Sequence, residues 1–225
     1  MTLKLIIGNK NYSSWSFRPW IGLTATGIAF DEEVIPLYAE GSKEKILAHS
    51  PAGKVPVLID GATYVWESLA ILEYAAEKFP DAHLWPFDPA ARAHARAIST
   101  EMHAGFAALR NECGMAMWRP PARKGLSDDA KANIARIQAL WTDARTRFGA
   151  GGPFLFGRFS AADAMYAPVV SRFETYAIDV IAPVKAYMQA MIALPAWQEW
   201  RRAALNEKWV IPQFEDFPQS QRLKG

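Results

Sequence analysis

The sequence predicts an α/β domain of order βαβαββα followed by an all-α helical domain, and three observations predict it. Short apolar runs alternate with helically spaced ones as far as Pro80, and beyond Pro80 only helical spacing remains. Of the 225 residues, 51% are hydrophobic and 12% aromatic, enough for a sizeable core. The boundaries we read are an α/β domain over 1–80, a linker over 81–89 and a helical domain over 90–225.

Each element has its own signal. Leu3 to Ile7 is an apolar strand, and the turn-rich stretch from Gly8 to Ser14 leads into a helix over Trp15 to Thr26, with Phe17, Trp20, Ile21 and Leu23 on one face. Gly27 ends that helix. A second strand is expected over Asp31 to Leu37, and a short helix capped by Ser42 buries Ile46 and Leu47 before Pro51-Ala52-Gly53 breaks it. Val55 to Ile59, the turn Asp60-Gly61 and Thr63 to Trp66 form an antiparallel hairpin. A helix from Ser68 to Phe79 completes the first domain. In the linker, Trp85 and two prolines suggest a segment packed against its neighbours. Asp88-Pro89 is a helix start, and Ile98, Met102, Phe106 and Leu109 extend its apolar stripe. Ser127 caps a second long helix carrying Ile134, Ile137, Leu140 and Trp141, with Asp128 and Asp129 in its first turn. Ser160-Ala161-Ala162-Asp163 is a further helix start, and Pro183 and Pro195 open two more.

Composition excludes several classes. The 25 basic and 23 acidic residues leave a net charge of +2, without the concentrated positive surface that nucleic-acid binding requires. The first 80 residues hold 7 Lys and Arg against 9 Asp and Glu, and the remainder 18 against 14, so the helical part is the mildly basic one. The single cysteine, Cys113, closes no internal disulfide and builds no thiolate metal site, and His49, His83, His94 and His103 lack ligand spacing, so no metal is expected. Nothing in the chain has the ~18 apolar residues of a membrane span. A cytoplasmic location without membrane partners is the expectation.

Three motifs carry chemistry. They are Ala52-Gly53-Lys54-Val55-Pro56-Val57-Leu58, Trp66-Glu67-Ser68-Leu69-Ala70-Ile71 and Phe159-Ser160-Ala161-Ala162-Asp163. In this order, around a βαβ-ββα unit and a helical half, they resemble the cytosolic glutathione transferases. The resemblance implies a thioredoxin-like first domain, a cis Val55-Pro56 bond, reduced glutathione as co-substrate, a small electrophile as acceptor, and a twofold homodimer. A cis bond at Pro56 would turn the Val55 N–H and C=O out of the sheet, where they could pair with an extended peptide; in the family that peptide is the cysteinyl part of glutathione. Ser68, at a helix N-terminus, would take the γ-glutamyl carboxylate, Glu67 its ammonium group, and Lys54 the glycine carboxylate, unless Lys54 is simply solvated.

The segment Asn11-Tyr12-Ser13-Ser14-Trp15-Ser16-Phe17-Arg18 is similar to the serine-type transferases, most of all to the SSCSxR pattern of the zeta class. A serine hydroxyl at this helix start would donate to the glutathione sulfur and favour its thiolate. The zeta pattern points to Ser13, and counting four residues back from Arg18 points to Ser14. Trp15 stands where the zeta class has cysteine, and Pro19-Trp20 replaces its usual continuation, so the glutathione-dependent isomerisation of a maleyl diketo acid is the alternative to conjugation. A transferase-like binding protein with little turnover is the third reading. The acceptor pocket is expected from Trp15, His103, Arg110, Met115 and Trp118, with Arg172 a further partner for an acceptor carboxylate and Cys113 a bystander at its edge.

Overall fold

The computed structural model describes residues 2–225. Its first part is a four-stranded mixed sheet of order β2-β1-β3-β4, made by β1 (Leu3–Ile7), β2 (Phe30–Val34), β3 (Val57–Asp60) and β4 (Thr63–Trp66). β1 pairs parallel with β2, with Leu5 opposite Glu32, and antiparallel with β3, with Leu5 opposite Leu58. β3 and β4 form the expected hairpin, whose two-residue turn puts Gly61 at φ +59°, the left-handed region that glycine enters without a side-chain clash.

The strand period of two divides the sheet's contacts. Leu3, Leu5 and Ile7 face the main core, while Ile6 and Val57 face a smaller cluster with Ile35 and Ile46 of α2 (Ser42–Leu47). On the main face lie α1 (Ser14–Ala25) and α3 (Ser68–Lys78). Gly27, at φ +74°, closes α1, and the Ile28 N–H reaches back to the Leu23 carbonyl at 3.0 Å.

The rest is helical: α4 (Pro89–Ala104), α5 (Ala107–Glu112), α6 (Asp128–Phe148), α7 (Ala161–Thr175), α8 (Ala182–Ile192) and α9 (Pro195–Leu205). Asp88, Ser127 and Ser160 cap α4, α6 and α7 as the sequence predicts. α7 is buried on nearly every side, and it packs on α1 and α4. Gly22 permits the close approach of α1, α3 and α7: a Cβ there would stand 2.4 Å from Leu72 Cδ2 and 3.4 Å from Ala164 Cβ. One apolar core runs through both parts of the molecule.

Three boundaries differ from expectation. β2 ends at Val34, because Ile35 to Leu37 turn away towards α2. β3 begins at Val57, leaving Val55 and Pro56 outside the ladder. The apolar stripe through Ile98, Met102, Phe106 and Leu109 does not belong to one helix: Gly105 is extended and Phe106 takes φ +60°, so α4 stops and α5 restarts. No helix among the described residues is long and apolar enough to cross a membrane.

Candidate active site

Residues 8–13 form a compact turn that delivers the N-terminus of α1 to a cleft between the two parts. The Asn9 carbonyl accepts from the Tyr12 and Ser13 amides, the Asn9 side chain accepts from Leu37 N at 2.7 Å, and the Asn11 side chain accepts from Trp118 N at 2.9 Å. Ser13 is the N-cap of α1. Its hydroxyl donates to Ser16 Oγ at 2.7 Å and accepts from Ser16 N at 3.4 Å, while Ser16 Oγ accepts from Gly8 N at 3.0 Å. Ser14, the first residue of the helix, has no such engagement, and its hydroxyl makes no hydrogen bond among the described residues.

Both serines line a cleft of about 830 Å³. Its other walls include Lys54, Val55, Arg110, Met115, Arg172 and Phe214. A side pocket of about 190 Å³ adjoins it, sharing Trp15, Lys54 and Val55, and is lined further by Pro56, Trp66, Glu67 and Ser68. The Val55-Pro56 bond is cis, and neither the N–H nor the C=O of Val55 has a backbone partner. The structure therefore brings Ser13, Ser14, Lys54, Val55, Pro56, Glu67 and Ser68 around two adjoining pockets.

Glu67 sits in a conformation uncommon for a side-chain-bearing residue, φ +71°, of the kind held only where the surroundings impose it. Its carboxylate does not cap α3; it is half exposed and lies 3.5 Å from His103 Nε2. The Ser68 side chain is buried and its hydroxyl is directed at Met165 Sδ, 3.9 Å away.

Trp15 lines both the side pocket and the main cleft. The Arg18 guanidinium lies 4.1 Å and the Arg110 guanidinium 5.2 Å from its ring centroid, and the His103 ring meets it edge-on at 5.2 Å. Arg18 is fully buried, donates from Nε to the Met165 carbonyl at 3.1 Å, and leaves both terminal nitrogens without a partner. Arg172 is buried as well; its Nε donates to the Cys113 carbonyl at 2.8 Å, its Nη1 is unpartnered, and it faces the cleft. Burial, with repulsion from Arg110 added, pulls the Arg172 guanidinium down to about 10, so it stays charged at neutral pH. Burial and the positive charge of Arg18 hold His103 below its ordinary range.

Two expected pocket residues, Trp118 and His103, lie elsewhere, as does the expected bystander Cys113. Trp118 packs with Tyr12, Ala116 and Ile211 and donates to the Ala204 carbonyl at 2.7 Å, because the chain turns inward after α5. His103 stands behind Trp15 instead of lining the cleft. Cys113 is buried beneath Arg172, and burial raises its thiol above the ordinary value. Sequence reasoning missed Tyr12, Tyr38 and Phe214, which also line the cleft. The exposed aromatic Phe214 on a polar tail was the available signal. No cluster of metal-ligating side chains occurs among the described residues.

Comparison with known proteins follows the same division. Residues 12–78 match the glutathione S-transferase N-terminal domain and residues 89–203 the glutathione S-transferase C-terminal domain. The chain is 31% identical to maleylacetoacetate isomerase of Rattus norvegicus over 198 residues, 83% of this chain and 87% of that protein. It is 40% identical to a probable maleylacetoacetate isomerase of Caenorhabditis elegans over 99 residues, which is 44% of this chain and 46% of the relative, so that match spans under half of either chain. Among solved structures, a glutathione transferase homologue from Burkholderia with bound glutathione superposes with a TM-score of 0.69 at 20% identity, covering 91% of this chain and 98% of the other. A glutathione transferase from Methylococcus capsulatus gives 0.67 at 25% identity, covering 90% and 98%.

Proposed function

Because this chain belongs to the glutathione S-transferase family, we propose that it binds reduced glutathione along the side pocket and main cleft and uses Ser14 to hold the sulfur as thiolate. The observation that carries this reading is the free Ser14 hydroxyl at the first position of α1, facing the cavity that the Val55 backbone and Lys54 also line. Ser13 spends its hydroxyl on Ser16 and supports the turn.

Extended along that wall, the tripeptide would pair its cysteinyl part with the free N–H and C=O of Val55, set its γ-glutamyl group at Glu67 and Ser68, and bring its glycine carboxylate to Lys54. On thiol ionisation the proton passes to water, and the Ser14 O–H donates to the sulfur left behind. Lowering a thiol pKa from about 8.5 by one to two units requires about 1.4–2.7 kcal/mol, within the reach of one charge-assisted hydrogen bond and a helix N-terminus. The thiolate then attacks an electrophile in the main cleft. Arg110 and Arg172 favour an acceptor carrying a carboxylate, since both line the cleft and no acidic residue does. The non-catalytic reading is disfavoured by this intact set.

Two observations favour a second reading, glutathione-dependent isomerisation of a maleyl diketo acid: the named rat relative and the two arginines, suited to a dicarboxylate. There the thiolate would add to the double bond, the resulting enolate would rotate about the new single bond, and its collapse would expel the thiolate and restore the double bond in trans form. Homodimer formation is part of the proposal; the free edge β4, with exposed Tyr64 and Trp66, offers one surface for it. A cytoplasmic location, where thiols are kept reduced, suits the co-substrate.

The test is an ultraviolet titration of the glutathione thiolate bound to wild type, Ser14→Ala and Ser13→Ala. The bound thiol pKa should rise by about one unit or more in Ser14→Ala and by less in Ser13→Ala. Unchanged values in both variants would overturn the assignment. Turnover of a maleyl diketo acid against haloaromatic and haloaliphatic carboxylates then separates isomerase from transferase.

A further inference from the structure

The C-terminal segment beyond α9 folds back to the cleft and joins its wall at Phe214. It is tied down by Tyr12, whose hydroxyl donates to Glu215 Oε1 at 2.6 Å and accepts from Ile211 N at 3.3 Å. Arg222 closes the tie, meeting Glu215 Oε2 at 3.0 Å and covering the Trp118 ring at 4.1 Å, and Leu223 N donates to the Trp118 carbonyl at 2.8 Å. Burial, with Glu215 adding to it, pushes the Tyr12 phenol well above its ordinary value. With both roles of its hydroxyl taken, Tyr12 serves as the segment's anchor and is not available to glutathione sulfur.

This anchoring delivers Phe214 to the cleft wall. Its ring centroid lies 5.9 Å from Tyr12 and 6.1 Å from Tyr38, the latter at an interplanar angle of 74°. Tyr38 comes from the other side, the loop after β2, and is held at φ +60°, a strained backbone for a residue with a bulky side chain. Yet Tyr38 remains 71% and Phe214 41% exposed. Two large rings brought together from distant parts of the chain, one with backbone strain, and both left open to a cavity, are what a binding wall requires and what a packed core does not produce. The same cleft also carries Arg110 and Arg172. The lining thus offers aromatic rings and cationic groups to one occupant.

We propose that Tyr38 and Phe214 form a specificity-determining aromatic wall, and that the acceptor taken in the main cleft is a planar aryl or conjugated carboxylate, its flat body against these rings and its carboxylate towards Arg110 and Arg172. This deepens the proposed glutathione chemistry and rests on it. The flat body gains stacking and apolar burial that an aliphatic acid of equal charge cannot, so discrimination comes from the ring and not from the charge.

Calorimetric binding of three ligands to the full chain tests this: glutathione, S-carboxymethyl glutathione, and the S-(carboxynitrophenyl) conjugate, which adds the ring to the same charge. Wild type should prefer the aryl conjugate over the carboxymethyl one by about tenfold or more. Phe214→Ala and Tyr38→Ala, substitutions of exposed side chains, should each remove most of that preference while the carboxymethyl affinity stays within about twofold. Equal affinities in wild type, or a preference that survives both substitutions, would overturn the aromatic wall with the glutathione site intact. If glutathione itself fails to bind, the underlying reading falls, and this one with it.

Discussion

Arg18 is a buried guanidinium with no carboxylate within reach. It has one hydrogen bond, to the Met165 carbonyl, and the face of Trp15 for company, and Arg110 and Arg172 repel it. A charge placed this way costs folding free energy that its few contacts return only in part; even paired buried charges can commonly be replaced by apolar side chains of similar volume without loss of stability. Arg18→Met should therefore unfold at the same temperature as wild type or higher in a calorimetric melt. A drop of several degrees would mean that the Met165 bond and the Trp15 stack outweigh the unpaired charge. The sequence marked Arg18 only as a counting point, since nothing in a linear pattern tells a buried cation from a solvated one. The serine pair had the same difficulty. Ser13 and Ser14 are adjacent and identical in kind, and only the bond from Ser13 to Ser16, set by the cap geometry of α1, tells them apart.

Among the elements, α7 was legible from its first four residues because a capping box is a local arrangement: Ser160 and Asp163 answer one another across a single turn. Asp163 Oδ2 accepts from Ser160 N and Ser160 Oγ, both at 2.8 Å, and Oδ1 from Leu155 N at 3.0 Å, which also ties the preceding loop to the helix. Asp163→Ala would leave two buried amides unsatisfied and should cost about 2–4 kcal/mol in denaturant unfolding. Burial pushes the Asp163 carboxyl up to about 6, above its value in an unfolded chain. The folded state thus takes up a proton as the pH falls through 6 while the unfolded chain does not, and this group's contribution to stability grows on acidification. The stability gap between wild type and Asp163→Asn should widen between neutral pH and about pH 5, the window set by the raised folded value; a gap that narrows would contradict the assignment. The break between α4 and α5 was not legible in the same way. Phe106 continues the apolar spacing of Ile98 and Met102, so periodicity argued for one helix while Gly105 was the one sign against it.

At the scale of the whole molecule, the two parts are joined by contacts between residues about as far apart in sequence as the chain allows, and these no periodicity reveals. One such residue is Glu207, just after α9, whose Oε1 accepts from Lys10 N at 2.6 Å and whose Oε2 accepts from Asn11 N at 2.9 Å. Lys10 is fastened a second time, its ammonium 2.7 Å from Glu32 and 4.9 Å from the Trp20 ring centroid. A helix end in the second part therefore grips the turn that carries Ser13 and Ser14. Glu207→Ala would strand two partly buried amides at roughly 1–2 kcal/mol together, a fall of about 2–8 °C in melting temperature for a chain of this size. Glu207→Gln, with one acceptor oxygen left, should recover part of the loss. Loosening that turn also lets the N-terminus of α1 shift, so the pKa of the bound glutathione thiol should rise in Glu207→Ala by a fraction of the Ser14→Ala effect and return partway in Glu207→Gln. If the melting temperature falls while the thiol titrates as in wild type, Glu207 fastens the two parts without positioning Ser14, and the turn keeps its shape through Asn9 and Asn11 alone.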